Sequence, residues 1–211
     1  MTGLVTYEER LNSDFNWALR EGSMHFEDKS AVQLAMRRTA KRLDEIGVPY
    51  AVVGGMAMYF HGYRRFTEDV GLLVTKENPK VVHDRLEGFG YLPPFTGSKH
   101  LRDTESGVKV EFLTTGEFPG DGLPKPVAFP DPTTVRVEEG GVWFLNLPTL
   151  VELKLASGMT HPRRGKDIND VEYLIEARNL GEELADQLNP FVRDKYLELV
   201  RLTRSNPTKP E

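Results

Sequence analysis

The stretch at residues 50–74, YAVVGGMAMYFHGYRRFTEDVGLLV, constrains this chain more than any other. Its apolar run at 50–53 predicts a short strand, Gly54-Gly55 a turn, residues 56–61 a helical turn or two, and residues from about 69 to 74 a second strand. Glycines between a buried strand and a helix start let backbone come close to a ligand and aim free N–H groups at an anion. A plain tight turn accounts for the same pair. Asp69 lies at the start of the following strand, so the expectation is a carboxylate and an anion cradle sharing one cleft.

Bulk properties narrow the class without choosing a chemistry. With 211 residues the chain can bury a real core as one domain, or one domain with a smaller appendage. Hydrophobic residues at 39% and charged residues at 28% are ordinary for a soluble globular protein. A net charge of −5 gives no broad electrostatic footprint for nucleic acid, although a local basic patch is compatible with it. No cysteine is present, which excludes disulfides and thiolate metal sites. The first residues lack a basic region followed by an apolar core, and no run approaches eighteen apolar residues. The expectation is a soluble cytoplasmic protein without a membrane partner.

Thirteen residues separate Gly55 from Asp69, and Arg65 and Thr67 stand just before the second strand. This pattern resembles the nucleotidyltransferase superfamily with the polymerase-beta-like fold, whose signature is an apolar residue, Gly-Gly or Gly-Ser, a short helix, then Asp-x-Asp on a strand. Within it, the chain is most similar to the small bacterial branch that includes abortive-infection toxin nucleotidyltransferases and aminoglycoside nucleotidyltransferases. The resemblance implies an α/β (α+β) domain, with a mixed twisted sheet flanked by helices and a C-terminal helical part. One departure stands at the chemical centre: Gly71 occupies the place of the second aspartate. Strand side chains alternate, so residues 69 and 71 share a face and Glu68 points to the other. In the family the paired aspartates hold divalent metal on nucleotide phosphates, and Gly71 removes one ligand and one charge.

The rest of the chain fits the same order. Residues 1–29 are mixed and polar, with Phe15 and Trp17 as large anchors, and predict an extension with a short surface helix. Apolar spacing predicts a helix over 30–46 with Ser30 as N-cap and Gly47 as stop, and another from about 78 to 88. Residues 107–114, GVKVEFLT, alternate as a strand: Val108, Val110 and Phe112 share one face, Lys109, Glu111 and Leu113 the other. Glu111 is read as the third carboxylate that the resemblance implies, completing the acidic site or serving as base, against a plain solvated glutamate. Residues 115–133 carry five prolines and read as a loop that either covers the cleft or skirts the sheet. Two short strands at 134–137 and 142–145 follow, then helices at 146–157, 167–178 and 190–203. The organisation expected is an extension to 29, a core over 30–146, a helical region over 147–203 and a disordered tail from 204.

A second place with chemistry is GMTHPRRGKDIND, residues 158–170. Lys154, Lys166, Asp167 and Asp170 stand where the resemblance implies a helix lysine, a basic connection and a Lys-Asp followed by Asp. Asp167 also fits as a helix cap or first-turn carboxylate. Lys154 sits on a mostly apolar helix, so it must snorkel to solvent or reach an anion, such as a triphosphate. The five histidines show no metal-ligand spacing.

The function implied is a nucleotidyltransferase that binds a nucleoside triphosphate with Mg²⁺ (or Mn²⁺) and transfers a nucleoside monophosphate to a hydroxyl. The acceptor is an RNA end, a protein or a small molecule. Asp69 and Glu111 are the candidate catalytic and metal-binding residues. Lys154 is catalytic and nucleotide-binding, joined in the latter role by Gly54, Gly55, Arg65, Thr67, Lys166 and Asp167. Gly71 keeps a second reading open: an inactive homologue acting through binding, as a toxin–antitoxin component with a cognate antitoxin. A third is a nucleic-acid-binding module built on the basic cluster at 163–166.

Overall fold

Two strands buried on both faces set the architecture. In the computed structural model, which describes residues 3–205, seven strands form one mixed sheet. They are β1 (Tyr50–Val53), β2 (Asp69–Val74), β3 (Tyr91–Leu92), β4 (His100–Asp103), β5 (Lys109–Thr114), β6 (Arg136–Glu139) and β7 (Val142–Leu145). The order is β3-β4-β5-β2-β1-β7-β6, with β1 antiparallel to β2 and β2 parallel to β5 at the centre. The helices are α1 (Tyr7–Ser13), α2 (Phe15–Phe26), α3 (Ala31–Glu45), α4 (Gly54–Phe60), α5 (Asn78–Leu86), α6 (Leu147–Thr160), α7 (Gly165–Arg178) and α8 (Pro190–Ser205).

Alternation sorts the side chains into two cores. Val52, Val70, Leu72, Val110 and Phe112 pack on one face against Tyr7 of α1, Val32, Met36 and Leu43 of α3 and Leu86 of α5. Ala51, Val53 and Leu73 pack on the other against Met58 of α4, Leu150 and Leu155 of α6, Leu174 of α7 and Tyr196 of α8. Central strands covered on both sides read as continuous apolar runs, which is why residues 50–53 show no alternation in sequence. The architecture is the mixed α/β sheet flanked by helices that the sequence predicts.

Several boundaries differ for local reasons. The N-terminal extension holds two helices rather than one: Thr6 and Glu9 form a capping box at α1, and the Asp14 side chain accepts from the Trp17 amide at α2. β3 and β4 escape the sequence reading because one is two residues long and the other turns Asp103 inward, where Arg38 neutralises it at 2.7 Å. The strand expected at 134–137 lies at Arg136–Glu139, since a 3₁₀ turn takes Pro132–Thr134. Helix α8 runs on to Ser205, and the expected disordered tail otherwise falls at 206–211, outside the described residues.

Candidate active site

The two glycines after β1 are required for different reasons. Gly54 has φ +65 with open space around it, so the demand there is the left-handed backbone itself. At Gly55 a Cβ would lie 2.5 Å from Thr67 Oγ1 and 2.7 Å from Thr67 Cβ. The glycine pair expected as a separate turn before a helix from residue 56 forms the first turn of α4 itself; the bare Gly55 lets Thr67 pack against that turn, and Thr67 Oγ1 donates to Asp69 Oδ1 at 3.2 Å. Gly55 therefore orients the Asp69 carboxylate through Thr67, a role invisible in the linear sequence.

Parallel pairing of β2 with β5 sets Asp69 opposite Lys109 and Gly71 opposite Glu111, all on one face. The Lys109 ammonium lies 3.7 Å from Asp69 Oδ2 and 3.5 Å from Glu111 Oε2. Sequence alternation puts Lys109 beside Glu111 but gives it no role. Gly71 faces Val53 of β1, its register partner, and a Cβ on Gly71 would lie 2.8 Å from Val53 Cγ2. The place of a second strand carboxylate is thus taken up by a valine.

The opposite wall comes from α6 and α7. Lys154 Nζ donates to Asp167 Oδ1 at 2.6 Å and Asp170 Oδ2 at 2.7 Å, so two carboxylates of its own chain serve as anions for it. Ser157 Oγ donates to Asp167 Oδ2 at 2.7 Å. Arg65 Nη2 donates to Asp170 Oδ2 at 3.2 Å, while its Nε lies 3.0 Å from Oδ1 without the alignment of a hydrogen bond. Asp167 sits in the first turn of α7 but caps nothing: its oxygens are taken by Lys154 and Ser157. Arg164 and Lys166 on the connection between the helices are exposed at the mouth.

Burial alone would raise the Asp167 carboxyl, but the Lys154 charge, the hydrogen bonds from Lys154 and Ser157, and the Arg164 charge together hold it below its ordinary 3.8. A depressed carboxylate stabilises the fold above its unfolded value, and that contribution disappears as the pH falls through the folded one. Asp167→Asn is therefore less stable than the parent at pH 7, and the gap narrows below about pH 4. Urea midpoints at pH 7 and pH 3 measure it, and an unchanged gap would contradict the assignment.

Gly54, Gly55, Arg65, Thr67, Asp69, Glu111, Lys154, Lys166 and Asp167, the nine candidate catalytic, metal and nucleotide residues, line one cleft of about 210 Å³, while Asp170 lies behind its wall, held by Lys154 and Arg65. Pro119, Gly120 and Phe129 of the proline-rich loop close one side, so that loop walls the cleft rather than only skirting the sheet. Glu68 is exposed outside it. No group of three or more histidine and acidic side chains that could hold a metal occurs among the described residues. The two carboxylates that meet in the cleft are Asp69 and Glu111, and the Lys109 ammonium between them marks a point where one cation is shared by both. In chemistry, two carboxylates would fit a magnesium ion that takes its remaining ligands from elsewhere. No helix among the described residues is long and apolar enough to cross a membrane.

No protein-family model and no curated sequence matches the chain. Solved structures do. The chain is similar to the solution structure of the antibiotic-resistance factor ANT(2'')-Ia, with TM-score 0.53 and 15% identity over 82% of this chain and 98% of that one. It is similar to the crystal structure of ANT(2'')-Ia in complex with adenylyl-2''-tobramycin, with TM-score 0.50 and 14% identity over 83% and 98%. A nucleotidyltransferase-like protein from Paracoccidioides brasiliensis gives TM-score 0.48 at 15% identity over 82% and 88%. At such identities the likeness to ANT(2'')-Ia shows a shared fold and nothing further.

Proposed function

We propose, from the premise of a nucleotidyltransferase fold, that the cleft binds the polyphosphate of a nucleoside triphosphate and that the chain transfers its nucleoside monophosphate to a hydroxyl. The observation that carries this reading is the meeting of two carboxylates on one shared cation point, beside the Gly54-Gly55 turn and across from Arg164 and Lys166. Asp69 and Glu111 would hold Mg²⁺ or Mn²⁺, which supplies charge neutralisation at the phosphates when bound. Thr67 keeps Asp69 aimed into the cleft. The Gly54 and Gly55 amides, Arg164 and Lys166 bind phosphate oxygens. Lys154 and Arg65 act as positioning residues: they hold Asp167 and Asp170 in place and thereby fix α7 against α6.

In the reaction the acceptor oxygen bonds to the α-phosphorus, the bond from that phosphorus to the bridging oxygen of the β-phosphate breaks, and pyrophosphate leaves. The acceptor proton passes to Glu111. The acceptor is a small molecule, an RNA end or a protein side chain. ANT(2'')-Ia was solved with an adenylylated tobramycin, which favours a small hydroxylated molecule. The reading sets the reaction in the cytoplasm, where nucleoside triphosphates are plentiful.

A second reading has its own observations. Val53 fills the space opposite Gly71, and Lys109 spends one charge on the carboxylate pair. Both fit a relative that binds nucleotide without turning it over and works through a partner such as an antitoxin. Calorimetric titration with each nucleoside triphosphate, with and without Mg²⁺, separates the possibilities. The expected result is Mg²⁺-dependent binding that weakens about tenfold or more in Asp69→Asn, with pyrophosphate released when acceptors are added. Binding without pyrophosphate release across all three acceptor classes supports the second reading. Absence of binding in the parent protein would overturn both.

A further inference from the structure

We infer that Lys109 is a resident counter-ion of the acidic wall, one that keeps free divalent cations off Asp69 and Glu111 and gives way only to a cation that arrives with a polyphosphate. This rests on the functional reading of the cleft and adds a residue to it.

The placement follows from the sheet. Parallel register between β2 and β5 makes Lys109 the direct partner of Asp69, while alternation along β5 puts it two residues before Glu111 on the same face. Its ammonium therefore lies within ion-pair reach of both carboxylates. The separations of 3.7 Å and 3.5 Å are ion-pair distances longer than a well-formed hydrogen bond. Such a contact neutralises charge without locking geometry. All three side chains keep solvent access, at 26% for Lys109, 41% for Asp69 and 44% for Glu111. The ammonium can swing out to water at little cost, since partly exposed ion pairs are worth about 1 kcal/mol or less.

Charge arithmetic decides the consequence. Asp69 and Glu111 carry two negative charges, and Lys109 cancels one of them. The remaining attraction for a free divalent ion is that of a single carboxylate, against the strong hydration of Mg²⁺. Neighbouring cations do not substitute for Lys109: Arg102 on β4 is drawn away, donating to Glu8 Oε2 and to the Gly107 carbonyl at 2.8 Å each. A nucleoside triphosphate brings four further negative charges beside the wall, and its phosphates would offer the displaced ammonium a new partner. The design makes metal loading depend on substrate.

The test uses Mn²⁺ as the probe, its bound fraction read by electron paramagnetic resonance in the absence of nucleotide. Lys109→Met and Lys109→Gln are compared with the parent, and both are checked for native thermal melts, so that one misfolded variant does not decide the result. Removing an ammonium whose displacement costs about 1 kcal/mol should tighten Mn²⁺ binding about fivefold. Adding Asp69→Asn to Lys109→Met should abolish the gain, which locates the gain at this wall. Equal Mn²⁺ affinity in the parent and in a folded Lys109 variant would overturn the inference, even while the parent still binds nucleotide with Mg²⁺. Failure of nucleotide binding in the parent, with the Mn²⁺ gain intact, would count instead against the functional reading. A gain that survives Asp69→Asn would mean the ion sits elsewhere and would also overturn the inference.

Discussion

Lys154→Met should cost the folded protein about 3–5 kcal/mol, toward the lower end of that range. The ammonium is the shared partner of Asp167 and Asp170, which are 2% and 5% exposed. Removing it strands two carboxylates in a layer packed between α6 and α7. Arg65 continues to serve Asp170, and Ser157 still donates to Asp167, which is why the full range is not reached. Against a typical total stability of about 5–15 kcal/mol, this loss moves the urea midpoint far. The companion triple substitution, Lys154→Met with Asp167→Asn and Asp170→Asn, should recover much of it, because replacing a whole buried ionic group is far milder than orphaning half of one. A single-substitution loss below about 1 kcal/mol, the range of a surface pair, would mean the network is hydrated and weak.

The second large effect concerns Gly71. From the sequence, placing an aspartate at position 71, as the resemblance implies, looks like the completion of a carboxylate pair. The structure predicts otherwise. Gly71→Asp brings a Cβ to 2.8 Å from Val53 Cγ2, and Val53 is 4% exposed with a χ1 that branching makes stiff. The expected outcome is a destabilisation of about 1–3 kcal/mol, as for other overpacked sites, with no gain in Mg²⁺-dependent nucleotide binding. In a Val53→Ala background the same substitution should cost less. A double-mutant cycle should return a coupling of about 0.5 kcal/mol or more, because the two residues share one space. Additive energies, or a single Gly71→Asp that binds Mg²⁺ and nucleotide better than the parent, would show that the valine yields readily. Gly71 and Val53 are thus a matched pair across two strands and not an isolated lost ligand.

These contrasts show where the sequence was informative. Residues 50–74 were legible because strand, glycine pair and helix follow one another within a few residues, and local patterns carry that information. The two faces of β5 are legible from alternation, which puts Glu111 and Lys109 on the side opposite the buried Val110 and Phe112. The approach of Glu111 and Lys109 to Asp69 is not, since it depends on parallel pairing between strands forty residues apart, and register has no local signature. The same holds for Val53 against Gly71 and for Gly55 against Thr67, where one residue's identity is set by a neighbour remote in sequence. The apolar helix around Lys154 shows in sequence that its ammonium needs an anion, but not that Asp167 and Asp170 supply it, because their positions depend on how α7 folds back along α6. The capping box at Thr6 and Glu9 was present in the sequence all along, and only the polar composition around it hid the first helix.

The sheet keeps two hydrophobic cores apart, one under each face, and the cleft opens along the edge where its carboxylate-bearing strands meet the layer made by α6 and α7. A molecule lodged there with one end on β2 and β5 and the other on the connection before α7 would act as a rivet between the sheet and the C-terminal slab of helices packed on one of its faces. Partial opening of the C-terminal slab, an excursion open to a layered protein on its own, would then first require the rivet to leave. Occupancy and mechanical unity of the molecule would become the same variable.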